Sequence, residues 1–327
     1  MRAVRLHAVG DLRFEHIDVP LPPQAGEVTL AVSAAGICGS DLHNFKTGAW
    51  ITRAPSVAGH EFTGTITALG DGVDHVAPGD RVVVDSRHLC GQCPACRDGR
   101  GQVCSRLGFL GEAIDGGFAE AVTLPARNVM KAADVPDRHL AMAEPLAVAL
   151  HALNRLAAPS EAPILVAGCG PIGGLVALLA RRAGHPVTVM DRNPFRARLV
   201  ADTVGAQIAP DDLPRFRFAL DTTGHASVIA ALIAALEGCG TLALVGIGRP
   251  GPVIDPVHLV EREITLVGCH AFGDELARIN QLLPELSPTL DAFIAEEISL
   301  SEVPKSYARH IEGQISGLKT IINCKAF

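Results

Sequence analysis

The sequence predicts an α/β protein of two domains, in which a β-rich domain is followed by a doubly wound parallel sheet. At 327 residues the chain is too long for one ordinary hydrophobic core. Up to about residue 146, short runs of β-branched or alternating residues lie between glycine and proline turn signals. From Pro163 onward, apolar strand patterns alternate with amphipathic helix patterns, which is typical of a parallel sheet with helices on both faces.

The same patterns predict the individual elements. In the first domain we expect strands at 28–32, 64–69 and 81–84, and a helix that begins at Glu144-Pro145 and runs to Leu156. In the second domain we expect strands at 164–167, 187–190, 218–220, 241–245 and 264–267, with helices at 172–179 and 194–204. We therefore predict domains at 1–148 and 149–272, and a segment at 273–327 that returns to the first domain.

Composition and charge exclude several classes of protein. Hydrophobic residues make up 48% and charged residues 19%, which describes a globular chain. The formal net charge of −7 argues against a nucleic-acid partner, because little in such a chain could neutralise a run of phosphates. The first twenty residues show no secretory signal, and the apolar stretch at 164–180 is too short and too broken by glycine to cross a bilayer. We expect a cytoplasmic protein with no membrane partner.

Four of the nine cysteines are clustered in the pattern Cys90-x2-Cys93-x2-Cys96-x7-Cys104. Four thiolates this close can surround one tetrahedral Zn²⁺ and leave no open position, which predicts a structural site in a lobe at about 88–106. An iron–sulfur cluster also uses four cysteines, although the spacing differs from the common ferredoxin patterns. A nucleic-acid zinc module is disfavoured by the net charge. Of the others, Cys38 stands alone, and we expect Cys169, Cys239, Cys269 and Cys324 in the core.

A glycine pattern predicts a dinucleotide site. Gly168-Cys169-Gly170-Pro171-Ile172-Gly173 follows a predicted strand and opens a predicted helix, and Asp191 ends the next strand eighteen residues later. The glycines allow a tight turn, and the helix N-terminus favours a pyrophosphate. Asp191 would bind the adenosine ribose and repel a 2′-phosphate, so NAD is favoured over NADP, although Arg192 could receive that phosphate. The alternative is a glycine-rich turn without a ligand. We add Thr222 and Gly246 to the predicted cofactor-binding residues.

Two further segments carry candidate metal ligands. The run Gly36-Ile37-Cys38-Gly39-Ser40-Asp41-Leu42-His43 and the run Gly59-His60-Glu61 supply a thiolate, an imidazole and carboxylates. A zinc held by only a few protein groups keeps a position for water or substrate. Taken singly, Cys38 could be a small buried residue, and His60-Glu61 could be a surface pair. His151 is expected to pack in a helix, and the sequence leaves open whether Phe45 and Trp50 line a pocket or only pack.

Taken in order, these motifs resemble the zinc-dependent medium-chain dehydrogenase/reductase (alcohol dehydrogenase) family. The resemblance covers nearly the whole chain. Within the family, Cys-Gly-Ser-Asp-Leu-His at 38–43 and Ala-Glu-Pro-Leu-Ala-Val-Ala-Leu-His-Ala at 143–152 are most similar to the polyol branch, the sorbitol and L-idonate 5-dehydrogenases. The resemblance implies a GroES-like catalytic domain and a Rossmann NAD-binding domain.

The resemblance also implies roles for site residues. Cys38 and His60 would bind the catalytic zinc, Glu61 would be a ligand or a near-ligand, and Glu144 would be the remaining carboxylate, direct or through bound water. Ser40 would contact the substrate oxygen and pass its proton, through ribose hydroxyls, towards His43 as the terminal base. The implied cofactors are NAD and two zinc ions per chain, one catalytic and one structural.

The implied reaction is hydride transfer between a secondary alcohol, a polyol or sugar acid, and NAD. A threonine-type amino-alcohol dehydrogenase shares the ligand arrangement, and a catalytically silent cofactor-binding homologue is a third possibility. Residues 253–269 resemble the family's dimerisation region, which implies a homodimer or homotetramer. One departure concerns the nucleotide domain, because only fourteen residues separate Ala206 from Asp221, so a helix is expected to be missing there.

Overall fold

The computed structural model describes residues 1–248 and 250–325 and divides the chain into two compact units. The first unit consists of Met1–Glu144 and Leu276–Phe327, and the second unit is Pro145–Glu275. The chain therefore passes from one unit to the other twice, at Glu144/Pro145 and at Glu275/Leu276. The predicted divisions at 148/149 and 272/273 lie within four residues of these positions.

The helices and strands follow one another along the chain in three parts. The amino-terminal part contains β1 (Arg2–Ala8), β2 (Asp11–His16), β3 (Glu27–Gly36), α1 (Gly39–Thr47), β4 (Ser56–Val57), β5 (Glu61–Leu69), β6 (Arg81–Val84), β7 (Arg87–His88), α2 (Pro94–Arg97), β8 (Gly108–Phe109), β9 (Ala121–Pro125), β10 (Val129–Lys131) and α3 (Asp137–Leu140). The middle part contains α4 (Ala143–Leu156), β11 (Ile164–Ala167), α5 (Pro171–Arg182), β12 (Val187–Met190), α6 (Pro194–Val204), β13 (Gln207–Ile208), β14 (Phe216–Asp221), α7 (Ala226–Ala235), β15 (Leu236–Leu244), α8 (Pro256–Glu261) and β16 (Thr265–Gly268). The last part contains α9 (Glu275–Leu290), β17 (Ile294–Ser299), α10 (Val303–Ile311) and β18 (Lys319–Asn323).

The first unit is built on a seven-stranded sheet, as far as the described residues show. Its main path runs β10-β6-β5-β3-β18-β17, with β9 also paired to β3. The late strand β18 pairs antiparallel with β3, so the C-terminal segment completes the sheet of the N-terminal one. The core contains side chains such as Leu30, Phe62, Phe118 and Tyr307, all 2% exposed or less. Each such side chain stabilises the fold by roughly 1.5–3 kcal/mol.

The second unit is a parallel sheet in the order β13-β12-β11-β14-β15-β16 over its described residues. The register of β11 against β12 and β14 is parallel throughout, as continuous apolar runs such as 164–167 predict. No helix lies between β13 and β14 within residues 209–215, which agrees with the short interval in the sequence. The predicted α/β class, with a β-rich domain and a doubly wound sheet, is confirmed.

The structure corrects three local predictions. Residues 39–47, for which no helix was predicted, form the helix α1. Strand β15 begins at Leu236 rather than at Thr241. Cys239 is exposed and not in the core, while Cys169 and Cys324 are buried. Within the part of the chain that the structure describes, no helix has the length and apolar character needed to span a bilayer.

Candidate active site

Helix α1 begins directly after the Cys38 thiol, and its cap fixes the position of that thiol. Cys38 is the N-cap residue with an extended backbone, and its amide donates to Asp41 Oδ2 at 2.9 Å. The reciprocal arrangement of Cys38 and Asp41 is a capping box. The helix ends at Gly48, which adopts φ +67° in the left-handed region that glycine tolerates. The sequence therefore places a thiol and an acid on a short, well-terminated helix.

Cys38, His60 and Glu61 come together as one cluster. One ligand atom from each lies within 4.8 Å of the others, and His60 and Glu61 are buried while Cys38 is half-buried. His60 immediately precedes β5, and Glu61 is the first residue of that strand. A thiolate, an imidazole and a carboxylate at this separation form a donor set that suits Zn²⁺.

Asp41 orients the His60 ring. The Nδ1 atom of His60 lies 3.3 Å from Asp41 Oδ1, and both side chains are 10% exposed. An Nδ1–H directed at that carboxylate leaves Nε2 as the lone-pair donor, which is how outer carboxylates fix metal-binding histidines. Burial lowers the pKa of His60, but the charges of Asp41 and Cys38 raise it by more, so it lies well above its ordinary value. The cluster therefore attracts a cation.

The carboxylate of Glu61 is fully buried and has two differently placed oxygens. Its Oε2 accepts a hydrogen bond from Lys319 Nζ at 2.5 Å, and that ammonium also donates to Ile37 O at 3.1 Å. Its Oε1 has no hydrogen-bond partner among the described residues. A buried carboxylate oxygen without a partner is costly. A metal ion bound beside Cys38 and His60 would satisfy it, so these residues fit a zinc.

Gly36 leaves room for this carboxylate. It pairs with Glu61 across β3 and β5, and a Cβ atom on Gly36 would lie 2.4 Å from Glu61 Oε2. No real Cβ contact is that short, so a larger residue would displace the carboxylate. The glycine that opens the Cys38 run in the sequence is therefore required by the site.

Glu144 is buried in the first turn of α4, outside the group of three. Its Oε1 accepts a hydrogen bond from Ser86 Oγ at 2.8 Å. Burial raises the pKa of Glu144 to about 7, the positive charge of His60 lowers it, and the negative charge of Glu61 raises it. The charges of the cluster therefore act on Glu144. None of its oxygens, however, lies within 4.8 Å of the ligand atoms of all three residues Cys38, His60 and Glu61.

Ser40 and His43 lie on α1, three residues apart and therefore on one face of the helix. Ser40 Oγ lies 3.5 Å from His60 Nε2, so the hydroxyl lies beside the nitrogen that is available to a metal ion. His43 is exposed, and its ring packs against Trp50 with ring centroids 4.9 Å apart. Phe45 packs edge-on against the buried Tyr307 at 5.6 Å and belongs to the core.

The four clustered cysteines form a second donor set. Their sulfur atoms lie within 4.8 Å of one another, with measured separations of 3.4, 3.8 and 4.0 Å. These values bracket the separation of about 3.8 Å that four Zn–S bonds of ~2.3 Å at tetrahedral angles require. Backbone hydrogen bonds from Cys96 and Ser105 lower the pKa of Cys93 to about 5, and such donors stabilise a thiolate. The set is Cys90, Cys93, Cys96 and Cys104.

In the second unit the glycine pattern forms the turn between β11 and α5. Gly168 adopts φ +97°, and a Cβ atom on Gly173 would lie 1.8 Å from Gly168 O. A Cβ atom on Gly170 would meet nothing within 4 Å. Gly170 is the N-cap of α5, and Pro171 and Ile172 form its first turn. The backbone is thus free to approach a phosphate at this helix N-terminus.

Asp191 lies next to that turn. Its two oxygens accept from the Cys169 amide at 2.6 Å and from the Asn193 amide at 2.7 Å. Arg192 is exposed. Arg196, in the first turn of α6, has a buried Nε with no hydrogen-bond partner in the described part of the chain. The sequence analysis missed Arg196, because a charged residue on a predicted helix gives no signal of its own.

Thr222 and Gly246 both lie in closely packed backbone of the second unit. Thr222 Oγ1 donates to Ala167 O at 3.0 Å and to Gly168 O at 3.1 Å. A Cβ atom on Gly246 would lie 2.0 Å from the Gly224 amide nitrogen, so this glycine allows two backbone segments to pack closely. In the same unit, His151 Nδ1 lies 2.9 Å from Glu275 Oε1, which is the packing role expected of it.

Comparison with known proteins assigns the family. Residues 24–137 match the alcohol dehydrogenase GroES-like domain. The chain is 30% identical over 325 residues to the 2-dehydro-3-deoxy-L-galactonate 5-dehydrogenase of Pseudoalteromonas atlantica, covering 94% of each chain. The chain belongs to the alcohol dehydrogenase family. The predicted resemblance to medium-chain dehydrogenases/reductases and the prediction of an NAD-dependent oxidoreductase are confirmed.

Two further alcohol dehydrogenase relatives bear on the chemistry. The L-threonine 3-dehydrogenase of Francisella tularensis subsp. mediasiatica is 28% identical and covers 91% of this chain and 92% of its own length. An alcohol dehydrogenase of Escherichia coli CFT073, solved in complex with NADH, superposes with a TM-score of 0.91 at 25% identity and covers 99% of both chains. An alcohol dehydrogenase takes a small-molecule substrate, as predicted.

Proposed function

We propose that this alcohol dehydrogenase oxidises a secondary alcohol of a polyol or sugar acid with NAD, and that Cys38, His60 and Glu61 hold its catalytic zinc. The observation that carries the proposal is the buried cluster of these three residues, in which Glu61 Oε1 has no partner among the described residues. A relative named for a sugar-acid substrate supports the substrate class. Glu144 is the remaining carboxylate, available directly or through a bound water.

Zinc at this site would act as a Lewis acid that lowers the pKa of a bound alcohol, and NAD would accept the hydride. Side chains of the protein accept the proton of the substrate hydroxyl and pass it on. Ser40 Oγ, 3.5 Å from His60 Nε2, takes the hydrogen bond of the substrate hydroxyl. His43 is exposed on the same helix face and serves as the terminal base that returns the proton to solvent.

The second unit supplies the cofactor residues of this proposal. The N-terminus of α5, with Gly168, Gly170, Pro171, Ile172 and Gly173, takes the pyrophosphate. Asp191 binds the adenosine ribose, and Arg196 uses its unpartnered Nε for the same sugar. Arg192 is exposed beside Asp191, and Thr222 holds the turn through its hydrogen bonds to Ala167 O and Gly168 O. Gly246 allows the backbone near Gly224 to pack closely in the same unit.

A threonine-type dehydrogenase is the second candidate function. It is favoured by the 28% identity to L-threonine 3-dehydrogenase over nearly the whole length of both chains. Turnover of sorbitol, xylitol, galactitol, L-idonate and L-threonine with NAD separates the two. Oxidation of threonine alone would replace the polyol or sugar-acid proposal.

The proposal also includes an oligomeric state and a cellular location. We infer a homodimer or homotetramer from exposed apolar side chains in the 253–269 segment, where Val253 is 98% and Val260 is 76% exposed. We also infer a cytoplasmic location, because none of the nine cysteines is in a disulfide and a reducing compartment keeps cysteines in that state.

The deciding experiment is the Cys38→Ser variant. We expect zinc content to fall from two ions to one per chain and kcat/KM to fall by more than about 100-fold, since loss of even an outer ligand partner costs ~10–100-fold. Folding and NAD binding should stay close to those of the unchanged enzyme. Cys239→Ser, at an exposed cysteine of the second unit, is the matched control. Full zinc content and full activity in Cys38→Ser would refute the proposal.

A further inference from the structure

A turn at 109–113 lies against the His60 cluster. The Phe109 ring centroid is 6.4 Å from that of His60. Gly111 packs so closely on Gly59 that a Cβ atom on it would lie 2.8 Å from the Gly59 nitrogen. The turn is closed by hydrogen bonds from the amides of Glu112 and Ala113 to Phe109 O at 3.2 and 2.8 Å. The backbone of Glu112 is therefore held in place next to the metal-binding residues.

The Glu112 side chain has no such restraint. Thr52 Oγ1 donates to the backbone oxygen of Glu112 at 2.9 Å, but the carboxylate has no hydrogen-bond or ion-pair partner among the described residues. The carboxyl group of Glu112 is half-buried, and the charges of His60 and Asp41 act on it. Burial raises the pKa of Glu112 to about 7, His60 lowers it and Asp41 raises it. The carboxylate thus lacks the donors that would stabilise its charge.

Arg53 follows Thr52, the residue that donates to Glu112 O, and it is already paired with Asp115 in the loop that follows the turn. A substrate carboxylate placed beside Glu112 would therefore meet a like charge, while the guanidinium of Arg53 is already paired with Asp115. A neutral substrate with several hydroxyl groups would instead supply the missing hydrogen-bond donors.

We propose that Glu112 is a specificity residue that selects an uncharged polyol and rejects a sugar acid, by accepting hydrogen bonds from substrate hydroxyls beside the Cys38–His60–Glu61 site. This inference rests on the proposed function and narrows its substrate class. Glu112 makes no contribution to proton or hydride transfer. Its effect is to discriminate between substrates that differ in charge.

The kinetic test uses L-iditol and L-idonate, which differ only in whether carbon 1 is a primary alcohol or a carboxylate. We expect the native enzyme to prefer L-iditol, and Glu112→Gln to shift the ratio of kcat/KM values towards L-idonate by about tenfold, the size of one like-charge interaction in a partly solvated site. The assay is run about two pH units above the pKa of Glu112, where its carboxyl is ionised. Asp74→Asn removes the same charge from an exposed turn beyond the far end of β5 and should leave the ratio unchanged.

A second measurement does not depend on turnover. Cys38 is half-buried in the same cluster, and its alkylation can be followed by mass spectrometry of the peptide that contains it. Glu112→Gln should raise the rate with iodoacetate, an anion, several-fold relative to the rate with neutral iodoacetamide. Asp74→Asn should leave that ratio unchanged.

The two measurements separate failure of this inference from failure of the proposed function. If neither alcohol reduces NAD in any variant, the proposed function fails, while the alkylation ratio still decides the placement of Glu112. An alkylation ratio that Glu112→Gln does not change overturns the inference. So does a native preference for L-idonate that survives in Glu112→Gln.

Discussion

At the residue scale, Glu61 shows how the energetic cost of burying a carboxylate is lowered when each of its two oxygens has a different partner. Lys319 neutralises one oxygen from a distance of 258 residues along the chain, and the other oxygen is left for a metal. Burial lowers the pKa of Lys319, but the charge of Glu61 raises it by more, so the ammonium keeps its proton. The pair therefore ties the last strand, β18, to the site.

Removal of one partner of this pair should be costly. Lys319→Met leaves the Glu61 charge buried without its cation, and we expect the free energy of unfolding to fall by about 3 kcal/mol, the range for a broken buried pair. Urea denaturation of the zinc-free protein measures it. In Lys319→Met/Glu61→Gln no charge is left unpaired, so much of the loss should be recovered. A double variant as unstable as Lys319→Met alone would contradict this account.

The sequence predicted the residues whose chemistry is visible in short motifs. The four clustered cysteines were predicted from their spacing, and Cys38 and His60 from the family resemblance that their runs carry; the structure brings each set together. Asp41 lies inside the same run as Cys38, but nothing local showed that its carboxylate faces His60. Lys319 could not be predicted, because its partner lies 258 residues away and only the strand pairing brings them together.

At the scale of elements, we expect the cysteine lobe to need a bound zinc for its stability. Within the described residues its regular structure consists of the four-residue helix α2, a 3₁₀ turn at Gly101–Val103 and the two-stranded β7–β8 pair. These elements provide little apolar contact, since no residue of α2 is buried. Metal binding supplies roughly 10–16 kcal/mol of folding free energy in small zinc domains near pH 7, far more than these elements can.

Cys96→Ser should therefore unfold the lobe locally and leave the other zinc in place. We expect one zinc per chain and protease cleavage within 88–106, measured by elemental analysis and by mass spectrometry of the fragments. The control is Arg100→Ala, which removes an exposed pair with Asp98 in the same lobe. An intact lobe in Cys96→Ser would show that three cysteines suffice.

The start of α9 is joined to α4 by a titratable contact. Burial raises the pKa of Glu275, but hydrogen bonds from His151 and Asn154 lower it by more, to about 2, against an ordinary value of 4.5. The carboxylate therefore stabilises the folded state fully above pH 4.5, and this contribution is lost as the pH falls towards 2. Glu275→Gln should be less stable than the native protein at pH 7, and the difference should disappear in acid.

Thermal unfolding across that pH range tests the prediction. Glu312→Gln is the control, because Glu312 is an exposed carboxylate near the end of α10. A difference between native and Glu275→Gln proteins that stays constant from pH 7 to acid would contradict the assigned cause.

Elements were predicted best where periodicity was strong. Strands 164–167 and 187–190 and helix 194–204 have the predicted bounds. Helix α1 was missed because its polar residues and its glycine at the first helical position resemble a loop. Its stability comes from the cap at Cys38 and Asp41 and from packing against the first unit, neither of which periodicity measures.

At the scale of the whole molecule, β16 ends the sheet of the second unit, and the neighbouring helix α8 exposes Val257 and Val260. An unpaired edge beside an apolar patch is a surface that a second copy of the chain can cover. Val260→Lys should therefore lower the molar mass in solution, measured by light scattering. Val19→Lys, at an equally exposed valine of the first unit, should not. Equal masses for both variants and the native protein would contradict a dimer built on this surface.

Because the second unit is inserted between two segments of the first, the second unit can fold before the first one is fully synthesised. All of the second unit emerges from the ribosome before residues 319–323, so its parallel sheet can form while the first unit still lacks β18. Until those residues appear, β3 keeps an open edge and the Glu61 carboxylate has no cation beside it. The cluster proposed to hold the catalytic zinc is thus completed late in translation, although its cysteine and histidine are made among the first sixty residues.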